Sequence, residues 1–314
     1  MIQFQNTWKI RWQRFFTNRN SIMVMALGLG LIWGTGAQWT EKLVLPLLVI
    51  VMTISTMGVT GSAFRSFKGF LMPALAGIAM NYLVLGSFIL ALNALLIRDE
   101  TLRTGFVILA AVPPAVAVLP FAFFLNGDSS LALLGMIGAY LGALVITPVL
   151  ALLFLGSNFT DPLKLIFIMV ELILLPLIFS RILVRTGWAF RLNPMKGPVT
   201  NWSFFVLSYT IVGLNRNMFL SQPLSLVPVA LIAFGSTFFL GWIIERVGIA
   251  LQSDPRKLTS LVLLGTLKNY GLAGGLALAL FSKQSAVPAT VSTVFMIVYV
   301  IWLELKKQRP GDHD

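Results

Sequence analysis

The chain has 314 residues, of which 57% are hydrophobic and 11% are charged, whereas a soluble domain is about 45–50% apolar and about 25% charged. The mean hydropathy of +0.88 points the same way, so a sizeable soluble domain is excluded and the lipid bilayer is the expected environment. The net charge is +12, but the basic residues lie in short loops between apolar segments. This pattern indicates that the positive charges set the orientation in the membrane and contact anionic lipid, and that the protein does not bind nucleic acid.

Ten apolar segments are predicted to cross the membrane as helices, because each is close to the roughly 20 residues that a bilayer requires. Residues 1–20 begin basic and become apolar, as in a signal peptide, but no convincing small-residue cleavage site follows. We therefore interpret them as a basic cytoplasmic segment before the first span. The predicted spans are 21–37, 43–61, 70–96, 103–125, 130–156, 162–184, 198–218, 224–246, 258–281 and 285–304.

Spans four and nine resemble each other weakly. Phe106–Asp128 and Leu261–Lys283 each begin apolar, are interrupted part-way, become rich in small residues and end in a polar turn. Five spans per half is an odd number, so the halves would lie in opposite orientations, as in many secondary transporters. The predicted fold is all-α and polytopic, with inverted five-helix repeats at 21–156 and 157–305 and a cytoplasmic tail at 306–314.

The 23 Lys and Arg residues are distributed unevenly between the two sides of the membrane. Most of them lie in the N-terminal segment, the C-terminal tail and the loops on the same side, which the positive-inside rule places in the cytoplasm. Both termini are thus predicted to be cytoplasmic, in a prokaryotic cytoplasmic (inner) membrane, with an organellar envelope as the alternative. The sequence does not indicate an oligomeric state.

Spans three and four carry polar or helix-breaking residues at mid-membrane. Asn81 is a candidate for the solute path, or else makes an interhelical hydrogen bond only. Pro113 and Pro114 each remove a helical hydrogen bond, which predicts a broken helix at a binding site, with a simple kink as the alternative. Asp128 is expected to cap the start of span five.

Spans six and nine hold the candidate charged residues. A lysine such as Lys268 costs at least about 2.5–3.5 kcal/mol at mid-membrane, so it is either functional or part of a structural salt bridge. Next to it, Asn269 offers donors and acceptors, and Gly271, after Tyr270, permits close backbone approach. Glu171 is the one acid placed deep in a span. We predict that it pairs with Lys268 in at least one state, the alternative being a protonated or snorkelling carboxyl.

No cofactor and no metal site are expected. The sequence has no cysteine, and its one histidine, His313, lies in the polar C-terminal tail. Disulfides, haem ligation and histidine-based zinc sites are therefore excluded from the membrane interior.

The two interrupted spans resemble those of the bile acid–sodium symporter family. Val112-Pro113-Pro114-Ala115 stands where that family reads Cys-Pro-Gly-Gly, and Gly127-Asp128 and Thr147-Pro148 follow at the expected places. Lys268-Asn269-Tyr270-Gly271-Leu272-Ala273 is similar to the family's Gln-Asn-x-Gly-Leu-Ala and departs at its first residue. The resemblance implies a core domain with crossed broken helices four and nine, a panel domain of spans one, two, six and seven, and alternating access.

The departures from the family concern its sodium ligands. The resemblance implies that the ligand positions correspond here to Val118, Leu119, Met136, Tyr140, Leu264 and Lys268. Asn81 alone remains as a side-chain oxygen, whereas sodium needs several hard oxygen ligands. We therefore hypothesise that the ammonium of Lys268 takes the place of the sodium ion.

The leading hypothesis is a secondary transporter of a small organic solute. An anion is favoured, because Lys268 and half-helix N-termini would present positive charge to a central cavity. Transport would be independent of sodium, by uniport, exchange or proton coupling. The alternatives are a sodium-coupled symporter that uses backbone oxygens, a channel, or a transporter-like sensor. An intramembrane enzyme is disfavoured, because no HExxH, serine or GxGD site is found.

Overall fold

The computed structural model describes residues 19–57, 67–155 and 162–307. The predicted N-terminal segment falls almost wholly outside these residues, as does most of the C-terminal tail. Short helices at Ala37–Thr40, Trp188–Leu192 and Arg216–Ser221 connect the main ones. The main helices are α1 Arg19–Ile32, α2 Val44–Thr56, α3 Gly69–Leu96, α4 Glu100–Ala111, α5 Val118–Phe124, α6 Ser129–Leu155, α7 Val170–Arg185, α8 Lys196–Leu214, α9 Pro223–Ala250, α10 Pro255–Leu264, α11 Tyr270–Leu280 and α12 Gln284–Lys307.

Helices lie over every one of the ten predicted spans, but only some of them are long enough to cross a membrane unbroken. Within the described residues, five helices meet that criterion by length and apolar composition: Ala37–Ile54, α3, α6, α9 and α12. The number rises to six if the pair Val170–Arg185 and Trp188–Leu214, bent by 103°, counts as one span. The chain is therefore a helical membrane protein, and ten spans in two repeats remain a prediction.

Spans four and nine are both interrupted, as the sequence predicts. In the first, α4 ends at Ala111 and α5 begins at Val118; in the second, α10 ends at Leu264 and α11 begins at Tyr270. The first break contains Pro113 and Pro114, which have no backbone N–H to continue the helix. The prediction of a broken helix at this position is confirmed.

The two breaks lie against each other and pair as an isolated antiparallel β-bridge between Pro114 and Lys268. The amide of Ala115 donates to the carbonyl of Leu267 at 2.9 Å, and the amide of Asn269 donates to the carbonyl of Pro113 at 3.0 Å. Backbone without helical hydrogen bonds is tolerated at membrane depth only where protein or a cavity surrounds it. Each break thus supplies the other with backbone partners.

Small residues set the closest helix contacts. A Cβ atom on Gly77 of α3 would collide with the backbone of Gly135 on α6, and one on Gly34 would come within 2.7 Å of the Gly213 carbonyl of α8. Such close approach is typical of helix packing in membranes, where apolar burial does not drive association. Helices α1, α2, α7 and α8 pack together as one group, and α3 to α6 as another.

The predicted cap of α6 is present. One carboxylate oxygen of Asp128 accepts hydrogen bonds from the amides of Ser130 and Leu131, both at 3.0 Å. These amides are among the first four of the helix, which have no intrahelical partner.

Candidate functional site

A cavity of about 470 Å³ reaches the crossing of the two broken helices. Its walls come from α1, α2 and α8 on one side and from both breaks, α5, α6, α12 and the first residues of α11 on the other. This volume is in the range of small-molecule sites, about 300–1,000 Å³. Four methionines contribute to a mainly apolar lining: Met23, Met52, Met136 and Met296.

Among the described residues, two lysines line this cavity, Lys196 and Lys268, and none of the lining residues is acidic. The predicted residues Asn269, Tyr270 and Gly271 also line it, and Ala115 follows the proline pair at its edge. The residues singled out in span nine are therefore brought together with the break in span four. Pro113 and Pro114 take part through the backbone pairing described above.

Lys268 is completely buried, and its ammonium points to the end of α4 rather than into open space. Nζ donates to the carbonyl oxygen of Ala110 at 2.6 Å and to that of Val112 at 2.9 Å. It also lies 4.8 Å from the ring centroid of Tyr82, within the range of a cation–π contact. The C-terminal end of a helix carries partial negative charge, so the ammonium is placed where a cation is stabilised.

The prolines explain why these carbonyls need side-chain donors. In a continuous helix the carbonyl of Ala110 would accept from the amide of residue 114, but Pro114 has no N–H. Lys268 supplies the missing donor. The next two carbonyls also have side-chain donors, since Thr147 Oγ1 donates to Ala111 at 2.7 Å and Asn81 Nδ2 to Val112 at 3.1 Å.

Asn81 thus belongs to this site, on a π-helical turn of α3 that spans Ala79–Gly86. Its side chain is fully buried. While Nδ2 bonds Val112, Oδ1 has no hydrogen-bond partner among the described residues. Single π-helical turns occur frequently at functional sites.

Asn269 joins the second break to other helices. Its Oδ1 accepts from the amide of Leu272 at 3.1 Å and so caps α11. Its Nδ2 donates to the Tyr140 hydroxyl at 2.9 Å and lies 3.5 Å from the sulfur of Met52. The Tyr270 hydroxyl bonds back to the carbonyl of Thr266 at 3.4 Å. Tyr140 is therefore a partner of Asn269 in a place where the resemblance implies a sodium-binding hydroxyl.

The predicted pairing of Glu171 with Lys268 is not formed in this structure. Glu171 is exposed, in the π-helical turn Val170–Leu174 at the start of α7, whereas Lys268 is buried against α4. Carbonyl oxygens that the prolines leave without donors take the place of the carboxylate. The expectation that Lys268 presents its charge to the cavity is corrected in the same way, because its ammonium is directed at these carbonyls.

Sequence reasoning missed three contributors. The sequence singles out Thr147 only as part of a Thr-Pro pair, and it singles out neither Tyr82 nor Lys196. In the structure Thr147 donates to Ala111, the Tyr82 ring lies beside the Lys268 ammonium, and Lys196 lines the cavity. The predicted break in span four is the available signal for Thr147, since a helix that ends there leaves its last carbonyls without helical donors.

No family model matches the chain. It is similar to the protein named probable sodium/metabolite cotransporter BASS3, chloroplastic, of Oryza sativa subsp. japonica. The two are 25% identical over 296 residues, which cover 82% of this chain and 68% of the relative. This similarity supports a relationship to sodium/metabolite cotransporters and points to a membrane transporter of small solutes rather than an enzyme.

Proposed function

We propose that this protein is a secondary transporter that carries a small organic anion by alternating access and without sodium. The observation that carries the independence from sodium is the position of Lys268, whose ammonium binds two carbonyl oxygens at the crossing of the broken helices. Because this amine is covalently part of the chain, it occupies the crossing whether or not sodium is present. The observation that favours an anion is Lys196, a second lysine in the cavity lining.

The apolar residues at positions that correspond to the family's sodium ligands support the absence of a sodium site. Val118 and Leu264 are completely buried, and neither side chain offers an oxygen ligand. Sodium, like other hard cations, requires several oxygens. Two of the carbonyl oxygens exposed by the first break are already bound to Nζ.

The shape of the cavity supports alternating access. It lies beside α5 and the first turns of α8, whereas α11, beyond the crossing, packs directly on α8 and α2. A Cβ atom on Gly271 would come within 2.8 Å of Phe204, and one on Gly274 within 2.7 Å of Ile211. With the predicted orientation, the Lys196 end of the cavity faces the cytoplasm and α11 closes the opposite side.

A second candidate function is a sodium-coupled symporter, which the name of the rice relative favours. Thermal unfolding in detergent separates the two, because a ligand that binds only the folded state raises its stability. We expect the same unfolding midpoint in sodium and in choline chloride at equal ionic strength. A sodium-dependent increase would contradict our proposal and favour the symporter.

Alternating access itself is tested by cysteine labelling, for which the natural absence of cysteine provides a clean background. Thr200→Cys lies in the cavity, and Ala277→Cys lies in α11, buried in a cluster with Ile211. In right-side-out and inverted vesicles, we expect an impermeant maleimide to label Thr200→Cys from the cytoplasmic side only. We expect Ala277→Cys to be labelled slowly from the opposite side only. Complete protection of Ala277→Cys from both sides would contradict a carrier and favour a static sensor.

A further inference from the structure

Lys196 is the second positive charge of the cavity, at the start of α8. It is half-buried and lies on the same face of the helix as Thr200 and Phe204, which also line the cavity at intervals of four residues. This face runs from the cavity end at Lys196 towards the crossing, where Phe204 packs on Gly271.

Lys268 is not available to an acidic group of a solute. Its ammonium is fully buried, is bonded to Ala110 and Val112, and faces the ring of Tyr82. A carboxylate that reached it would have to displace carbonyls that have lost their helical donors. The charge that attracts an anion into the cavity must therefore come from elsewhere.

Lys196 meets that requirement. It has no ion pair and no side-chain hydrogen bond in the described part of the chain. Within residues 19–57, 67–155 and 162–307, no acid lines the cavity that would neutralise it. Thr200 and Asn201, one turn further along α8, add polar groups at the same end, while the methionines make the remainder apolar and adaptable in shape.

We propose that Lys196 binds the acidic group of the transported anion, and that the apolar part of the solute extends from there to the crossing. This inference rests on the proposed function and gives the substrate class of the same cavity. Eight residues of helix separate Lys196 from Phe204, about 12 Å at about 1.5 Å per residue. The preferred solute is thus an elongated, apolar monoanion. Its acid contacts α8, and its apolar end contacts the crossing of the two broken helices.

The test uses purified protein and two probe series: 4-phenylbutanoate, 6-phenylhexanoate and 8-phenyloctanoate, and the matching primary amides. Apparent Kd values follow from the concentration dependence of thermal unfolding. We expect each acid to bind about tenfold tighter than its amide, as for a hydrogen bond to a charged group, with the longest acid tightest. Lys196→Gln should remove this preference, and Lys196→Arg should retain it.

Arg191→Gln is the matched control, because it removes one positive charge from the same segment, and Arg191 lies 5.3 Å from the Trp188 ring rather than in the cavity. The control should keep the full preference for acids. Equal binding of acid and amide by the unmodified chain, or no binding of either, would overturn the proposal. So would an unchanged preference in Lys196→Gln.

The binding measurement involves no transport, so it fails independently of the proposed function. If acids bind through Lys196 but the two cysteine variants show no access from opposite sides, only the carrier is contradicted. If the cysteine variants behave as expected and Lys196→Gln has no effect on the preference, only the role of Lys196 is contradicted.

Discussion

Lys268 Nζ lies 2.6 Å from the carbonyl oxygen of Ala110, a residue 158 positions earlier in the chain. The contact joins the two interrupted spans at their breaks and supplies the donor that Pro114 lacks. The same crossing therefore satisfies the backbone of one broken helix and fixes the amine of Lys268 beside the cavity.

Replacing Lys268 with methionine should destabilise the protein by about 1–3 kcal/mol, because the Ala110 carbonyl stays buried and loses the donor described here. The Val112 carbonyl should be less affected, since Asn81 also donates to it. Lys257→Met, at an exposed position in α10, is the control and should change stability by less than about 0.5 kcal/mol. Denaturation in mild detergent measures the stability of both variants. Equal stability of the two variants would show that Lys268 is dispensable for the crossing.

Sodium dependence should be created by restoring the ligands that the family resemblance implies. Leu264→Glu combined with Lys268→Gln places an acid and an amide at these positions and removes the ammonium from the carbonyl oxygens of Ala110 and Val112. We expect this double variant, unlike the unmodified chain, to unfold at a higher temperature in sodium than in choline chloride.

Leu264→Gln with Lys268→Gln is the control, because it has the same shape and lacks the acid. It should respond more weakly to sodium. A double variant that folds and shows no response to sodium would argue against Lys268 as the substitute for the ion.

Gly275 controls how closely α11 approaches α2. A Cβ atom there would collide with the side chain of Leu48, so Gly275→Val should push α11 away and open that side of the protein. In this background, Ala277→Cys should react with the impermeant maleimide about tenfold faster than in the parent variant. Gly28→Ala has no atom within 4 Å of its new Cβ and should leave labelling unchanged. If Ala277→Cys is labelled equally slowly with and without Gly275→Val, then Gly275 does not govern the contact between α11 and α2.

A pH effect is expected at Asp99, which caps α4 outside the predicted membrane interior. The hydroxyl of Thr101 and the amide of Leu102 donate to its carboxylate, and the Thr101 bond is the main cause that lowers its pKa below the ordinary value. A lowered folded-state pKa gives stability that is present above the unfolded pKa, about 3.9. This stability is lost as the pH falls through the folded pKa.

Unfolding midpoints recorded between pH 3 and pH 6 should therefore fall more steeply at the acidic end in the unmodified chain than in Asp99→Asn. Asparagine is also a good cap, so the variant should fold normally near neutral pH. Glu100→Gln, an exposed neighbour in the first turn of α4, is the control. If the unmodified chain and Asp99→Asn show the same dependence of unfolding midpoint on pH, Asp99 does not contribute to the pH dependence of stability.

The sequence predicts the breaks and the importance of Lys268 because both follow from local chemistry: a proline has no amide proton, and a lysine at mid-membrane needs a partner. The partner is not a matter of local chemistry. The sequence predicts Glu171, the one acid placed deep in a span, as a partner in at least one state, whereas in this structure Lys268 binds the carbonyls of Ala110 and Val112. The Ala110 carbonyl accepts from Lys268 only because the second break crosses the first, a contact between residues 158 positions apart.

A cation that is bonded to the chain cannot be released with the solute. Under the proposed function, each anion then crosses alone, and every cycle moves one negative charge through the membrane. One elementary charge is worth about 2.3 kcal/mol per 100 mV. In a cell whose interior is negative, this energy opposes uptake and drives the anion outward. Such a transporter would export, unless protons or a second anion compensate the current.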